Sequence, residues 1–371
     1  MVAISKSNFC IYPNLFQFSE GHLPRSVPGQ NINLFRVYSE ASLEGMSFSI
    51  KFWGVRGSLP SSPPPSVWAQ HIEGVLQNFF TAGHRSADQV SMYIRGMEEP
   101  VVGGYGSATT CVELNYGNDQ IIIDGGSGIR SISERILKGT ATRKKGPYHI
   151  FMTHFHWDHV IGLPFFVPHF IPGEEIHYYA VQPELESLIR GLFKKPYFPV
   201  PFEALQAKIH FHVLEPRKMI QVGEFKVTPY QLDHPDPCWG FKVQANGKSY
   251  AHCVDTEGTR VTQEELGADL PLYQNIDLMY FDAQYTLPEL AEKANWGHSA
   301  AQVGLEIAFR EGIKRVLFAH HDPGARTDHV LELRRQTREY YEAVARASAA
   351  NNETLPNVSW DFAHEGLEVV L

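Results

Sequence analysis

Thr153-His154-Phe155-His156-Trp157-Asp158-His159 follows directly on the apolar run Tyr148-His149-Ile150-Phe151-Met152. A short apolar run of this kind reads as a buried strand, and the loop at its end then carries three imidazoles and a carboxylate within six residues. Neutral imidazole nitrogen and carboxylate oxygen are the donors that Zn²⁺ takes, and Mn²⁺ or Fe²⁺ accept the same set with more oxygen character. Residues two apart on an extended backbone share a face, so His154 and His156 can meet one ion. Asp158 and His159 fall past the bend and can face a second, which makes two adjacent metal sites the simplest reading. The chain holds 18 histidines, most of them necessarily surface or core residues, so the clustering carries the inference and the count does not.

The spacing His-x-His-x-Asp-His resembles the signature of the metallo-β-lactamase superfamily. Further positions resemble the rest of that pattern in order: Asp124 in Ile121-Ile122-Ile123-Asp124-Gly125-Gly126, His234 in Leu232-Asp233-His234-Pro235, Asp255 in Cys253-Val254-Asp255-Thr256, and His320 in Leu317-Phe318-Ala319-His320-His321-Asp322-Pro323. The resemblance runs from Met46 to the C-terminus. It implies one metal on His154, His156 and His234, the other on Asp158, His159 and His320, and Asp255 bridging them, with Asp124 orienting a ligand histidine. Which of His320 and His321 reaches the metal is left open. The implied cofactors are two divalent ions, Zn or Mn with Fe as a further option, and the implied reaction is hydrolysis, since paired ions lower the pKa of a shared water. Asp158 is then expected to serve catalysis as well as ligation.

Asn295-Trp296-Gly297-His298-Ser299 narrows the bond. Ser299-x-x-Gln302 reads as a capping box opening a helix through Phe309, which sets His298 just ahead of that helix. The segment resembles the Gly-His-Ser motif of the phosphodiesterase branch, near tRNase Z and cyclic-nucleotide phosphodiesterases, as do Trp53-Gly54-Val55-Arg56-Gly57-Ser58 and His320-His321-Asp322-Pro323. His298 is therefore expected as general acid or phosphate-oxygen donor, and Arg56 as a structural residue near the site. The main expectation is hydrolysis of a small anionic phosphodiester such as a cyclic nucleotide or cyclic phosphate. Alternatives are a tRNA 3′-processing-type ribonuclease and a lactam, lactone or thioester hydrolase of the same superfamily. A tRNA-processing enzyme would be expected to carry a protruding basic arm rich in Gly and Pro. Residues 60–100 instead read as prolines followed by helix of mixed charge, which favours the small substrate.

Composition bounds the rest. At 371 residues, 43% hydrophobic, the chain can bury a large core. No apolar run approaches the roughly 18 residues that span a bilayer, and Met1 to Cys10 lacks a basic start followed by an apolar core, so a cytoplasmic protein without membrane contact is expected. Cys10, Cys111, Cys238 and Cys253 form no Cys-x-x-Cys pair, so neither a zinc ribbon nor a disulfide framework is indicated. The net charge of −9 argues against a broad nucleic-acid surface. Homodimers are common in the resembled family, so a homodimer is a further expectation.

Along the chain, residues 1–45 lack periodicity and read as an appendage, and 46–371 as the hydrolase domain with an insertion at about 60–100. In that insertion Val67, His71, Val75 and Phe79 fall near helical spacing, and a helical cap beside the metal cleft is expected. Candidate ligands recur at the ends of strand-like runs. With the resemblance, this gives an α/β fold: a four-layer α/β/β/α sandwich of two mixed sheets. Smaller expectations are a hairpin across Gly117-Asn118-Asp119, a helix from Gly162 to Phe170, Asp328 as the N-cap of a C-terminal helix, and a closing hairpin around Glu365-Gly366.

Overall fold

The computed structural model describes residues 47–140 and 146–371; the expected appendage at 1–45 lies outside the described residues. β1 (Phe48–Gly54) pairs antiparallel with β2 (Cys111–Tyr116), which pairs antiparallel with β3 (Asp119–Ile123). The β2–β3 turn is the expected one, with Gly117 at φ 61°, a conformation that glycine adopts without a Cβ penalty. β4 (Tyr148–Phe151), β5 (Glu175–Ala180) and β6 (Lys208–Val213) then extend the sheet in parallel. In the second sheet β7 (Ile220–Val222), β8 (Phe225–Gln231), β9 (Trp239–Ala245) and β10 (Lys248–Cys253) run antiparallel. β11 (Leu278–Asp282), β12 (Arg315–Ala319) and β13 (Ser359–Phe362) continue it in parallel. β14 (Glu368–Val370) crosses back to β1, completing two seven-stranded sheets.

That crossing corrects the expected closing hairpin. β13 pairs with β12 and β14 with β1, so Glu365-Gly366 turns the chain from one sheet to the other. Two amphipathic strands a few residues apart can satisfy different sheets as well as each other, and the open edges of β12 and β1 win here.

The layers follow from strand alternation. Phe48, Ile50 and Phe52 of β1 meet Phe225, Val227, Phe241 and Tyr280 of the second sheet in the inner core. Each such side chain contributes on the order of 1.5–3 kcal/mol when fully buried. On the outer faces the helices complete the sandwich. The insertion supplies α1 (Pro65–Thr81), α2 (Val90–Arg95) and α3 (Glu99–Gly103). α4 (Ile129–Leu137), α5 (Trp157–Val160) and α6 (Leu185–Leu192) belong to the first half of the chain, and α4 and α6 cover the first sheet through Ile129, Ile132, Leu185 and Ile189. α7 (Gln263–Leu266) and α8 (Leu287–Glu292) are short. α9 (Ala301–Glu311) and α10 (Thr327–Ala350) cover the second sheet through Leu305, Ile307, Val330 and Leu333.

Two helix expectations shift. Gly162 to Phe170 forms two single 3₁₀ turns, at Leu163–Phe165 and Val167–Phe170, each with a proline in its first turn; prolines four apart remove the amides a continuous helix would need. Arg326 rather than Asp328 occupies the N-cap of α10, and Asp328 sits in its first turn, where a carboxylate favours the helix dipole. Among the described residues no helix is long and apolar enough to cross a membrane.

Candidate metal centre

Parallel pairing puts the C-terminal ends of β3 and β4 on one edge, and those of β10, β11 and β12 on one edge of the other sheet. The candidate residues sit just beyond these ends. Asp124, Asp255 and His320 have φ of 61°, 60° and 63°, the left-handed region that costs a non-glycine residue on the order of 1–3 kcal/mol and that concentrates at functional sites. Beyond the strand ends these residues meet their partners, Asp255 with His320 and Asp124 with His159. Glycine then lets the loops close: a Cβ at Gly126 would stand 2.2 Å from the Asp158 carbonyl oxygen.

The sequence-expected ligands form two groups. Donor atoms of His154, His156 and His234 lie within 4.8 Å of one another, as do those of Asp158, His159, Asp255 and His320. His159 Nε2 is 2.9 Å from Asp255 Oδ2, and His320 Nε2 is 3.1 Å from both Asp158 Oδ2 and Asp255 Oδ2. The groups adjoin, with the His154 and His159 rings 4.1 Å apart.

Each imidazole has its other nitrogen engaged outside the group. His159 Nδ1 donates to Asp124 Oδ2 at 2.8 Å, His320 Nδ1 to Gln284 Oε1 at 3.0 Å, and His234 Nδ1 to the Gly297 carbonyl at 3.2 Å. His156 Nε2 donates to Asp236 Oδ2 at 2.8 Å. His154 Nδ1 is 3.1 Å from Thr153 Oγ1, which itself donates to Asp124. A neutral imidazole with one N–H on such an acceptor presents a bare lone pair from its second nitrogen. The inward atoms are therefore acceptors facing acceptors: His234 Nε2 is 3.3 Å from His156 Nδ1, while His154 Nε2, His159 Nε2 and Asp255 Oδ2 are buried without a hydrogen-bond partner. Convergent lone pairs at this burial require positive charge between them, and divalent metals fit the donor set.

Electrostatics make the same demand. Burial would raise the Asp158 carboxyl, but the positive charge that His159 and His320 carry when no cation stands between the groups holds it well below the usual carboxylate range. Burial would lower His320, yet Asp255, Asp158 and Asp282 around it push it up to about 9. His154, where burial dominates and His159 adds repulsion, is held well below the usual histidine value.

His298 stands beside the second group, Nδ1 3.1 Å from Asp282 Oδ2 and 3.7 Å from Asp255 Oδ1. The expected capping box is absent. α9 starts at Ala301 behind N-cap Ala300, and the Ser299 hydroxyl instead donates to the Glu257 carbonyl at 3.2 Å. What fixes the His298 segment is Asp282, whose Oδ1 accepts from the Ser299 amide at 2.9 Å and whose Oδ2 accepts from the Asp255 amide at 3.1 Å. The sequence pattern assigned no role to Asp282 or Asp236; the signal for Asp282 was a carboxylate ending a fully buried strand. His321 turns away from the group, Nε2 donating to the Ala363 carbonyl at 2.8 Å, with burial pushing it down to about 3. Arg56 is buried, and its guanidinium donates to the carbonyls of Gly106, Asp322 and Ala325, a structural staple as expected. Cys238 is buried with Sγ 3.6 Å from His154 Nδ1.

Near this edge the Ser58 amide donates to Asp158 Oδ2 at 2.8 Å, so the insertion leaves β1 beside the metal centre. A cavity of about 920 Å³ opens between α1 and the loop after β12, lined by Trp68, His71, Arg56 and Arg326.

Comparison with known proteins agrees with this geometry. Residues 119–321 match the family model described as "Beta-lactamase superfamily domain". A ribonuclease Z of Azobacteroides pseudotrichonymphae is 24% identical over 246 residues, covering 56% of this chain and 79% of that protein. One of Streptococcus suis is 26% identical over 280 residues, covering 61% and 87%. Among solved structures, the metallo-beta-lactamase fold protein YhfI from Bacillus subtilis superposes with a TM-score of 0.56 at 13% identity, covering 88% of this chain and 100% of that one. With a family match over more than half its length and buried His/Asp groups suited to two metals, the chain belongs to the metallo-β-lactamase superfamily, as a metal-dependent hydrolase.

Proposed function

We infer that the bond hydrolysed is a phosphodiester and that the substrate is RNA, the ribonuclease alternative set out from the sequence. The observation that carries hydrolysis is the convergence of imidazole nitrogens and the Asp158 and Asp255 carboxylates in two adjoining groups, the second of them fully buried. The ribonuclease Z relatives, each matched over most of its own length, favour RNA over the small phosphodiester expected first. Two divalent ions in these groups, held by His154, His156 and His234 on one side, by Asp158, His159 and His320 on the other, and by Asp255 between, would supply an acidified water and neutralise phosphate charge.

The chain's own residues do the rest. Asp124 and Gln284 hold the ring orientations of His159 and His320. Asp158, anchored by the Ser58 amide, orients the attacking water in this reading. His298, held by Asp282, donates a proton to the departing oxygen, which would otherwise leave as a costly alkoxide. The insertion leaves β1 at Ser58, next to Asp158.

A second reading, a small phosphodiester, is favoured by the net charge of −9, which gives a polyanion little long-range attraction. Pure protein loaded with Zn²⁺ or Mn²⁺ and offered a 3′-extended RNA, a panel of cyclic nucleotides, bis-p-nitrophenyl phosphate and a lactam tests both. Cleavage of the RNA at the highest kcat/KM supports the first reading, preference for cyclic nucleotides the second, and turnover of the lactam alone rejects phosphodiester chemistry.

A further inference from the structure

A second histidine group lies elsewhere, on the edge strand of the first sheet. β6 ends that sheet and pairs in parallel with β5, placing His177 opposite His210 and Tyr179 opposite His212. Alternation puts Glu175, His177 and Tyr179 on one face together with His210 and His212. Glu175 Oε1 is 3.2 Å from His177 Nε2 and 3.0 Å from His210 Nε2. The donor atoms of Glu175, His177 and His210 all lie within 4.8 Å of one another. Bonds of about 2.0–2.2 Å around a tetrahedral Zn²⁺ put neighbouring donor atoms roughly 3.3–3.5 Å apart, so a small inward or outward adjustment seats an ion.

Behind this trio the His177 Nδ1 is 2.8 Å from His212 Nε2, the arrangement by which an outer partner sets a ligand imidazole's tautomer. The rings of His177 and His210 stack at 4.6 Å with planes 18° apart. Burial, with the adjacent His177 and His210, lowers the His212 pKa. His210 is exposed and the other two are half-buried, which leaves room for a water as the fourth ligand.

We propose that Glu175, His177 and His210 form a metal site separate from the strand-end centre, taking a borderline divalent cation of the Zn²⁺ class, with His212 as the positioning residue behind His177. Bound there, the ion ties edge strand β6 to β5 by side-chain bonds across the ladder. The competing arrangement is a chain of hydrogen bonds running from His212 through His177 to Glu175, with no ion.

Metal-free full-length protein titrated with Zn²⁺, desalted and analysed for metal, tests the two. The wild type should retain one Zn²⁺ per chain more than His210→Ala or Glu175→Gln, and Asp255→Ala should still retain that additional ion. His212→Phe should keep the site with affinity weakened by about 10- to 100-fold, and phosphodiester turnover should be unchanged in all three edge variants. Glu175→Gln keeps the shape of the side chain, so it reports even if His210→Ala disturbs the edge. Equal Zn²⁺ content in wild type, His210→Ala and Glu175→Gln would overturn the proposal and leave the hydrogen-bond chain.

Discussion

The strand-end centre and the β5–β6 edge contain the same donor types at similar separations, yet they differ in how far the protein has decided their protonation. At the strand ends four of the five outward nitrogens meet a carbonyl or carboxylate oxygen, of Asp124, Gln284, Gly297 or Asp236. Those oxygens only accept, so each ring, when neutral, turns a lone pair inward. At the edge the outer partner of His177 is another imidazole, His212, which can donate as well as accept. The buried centre is therefore committed to a cation, while the edge has a metal-free state available at little cost. Accounting for both nitrogens of a histidine discriminates better than counting histidines.

The largest effect expected from breaking this contrast is at Asp255, whose Oδ2 faces both His159 and His320. Asp255→Ala should lose both strand-end ions in elemental analysis and reduce turnover to background. If it kept full metal content, the bridging role would be wrong. His298 comes next: its Ala variant should keep the strand-end metal content and lose turnover by ~10²- to 10⁴-fold. The loss should shrink for a p-nitrophenolate leaving group, which hardly needs the proton. Equal losses for good and poor leaving groups would leave His298 a binding residue.

How much of this was readable in the chain divides along physical lines. Four of the candidate ligands were legible because metal chemistry draws specific residue types into a short loop: His154, His156, Asp158 and His159 stand within six positions, whereas His234, Asp255 and His320 rested on the family resemblance. The four layers were expected from the family resemblance, with candidate ligands recurring at strand ends. What the sequence did not carry was decided by partners distant along the chain. Whether the strand at 368–370 pairs with β13 or with β1 depends on which edge is open, and local pattern is the same in both cases. Asp282 lies 16 residues from His298, so Ser299 and Gln302 looked like a cap when the real anchor was a carboxylate at the end of β11. His320 and His321 are equivalent in sequence, and only the left-handed turn at His320 sends one inward and leaves the other on the Ala363 carbonyl.

Asp124 offers a finer test, because it acts on the centre through His159 and the Thr153 amide and hydroxyl. Asp124→Asn keeps the size while removing the charge and one guaranteed acceptor. Metal affinity should weaken by about 10- to 100-fold, measured by competition with a chromophoric chelator, with binding still saturable at high Zn²⁺. Unchanged affinity would mean that His159 is oriented by its own packing.

The smallest effect on metal is expected at His169, the control for the nitrogen accounting. It is as buried as His154, but its Nδ1 donates to the Phe166 carbonyl at 3.1 Å and its Nε2 accepts from the Tyr178 hydroxyl at 2.8 Å. With both nitrogens satisfied it requires no ion, so His169→Gln should leave Zn²⁺ content and turnover unchanged. Its signature is in acid instead. Burial pushes His169 from 6.5 down to about 4, so above pH 6.5 the ring is neutral folded and unfolded alike, and its contribution is fully present. As pH falls from 6.5 toward 4 the unfolded chain takes up the proton that the folded chain refuses, and that stability is lost. Between pH 7.5 and 5 this costs the wild type about 2 kcal/mol. The Gln variant lacks the titration, so its deficit relative to wild type in urea unfolding should narrow by about that amount over the same interval. A deficit that stays constant with pH would show that His169 takes up its proton in the folded state, and that burial with two hydrogen bonds does not suffice to keep a histidine neutral here.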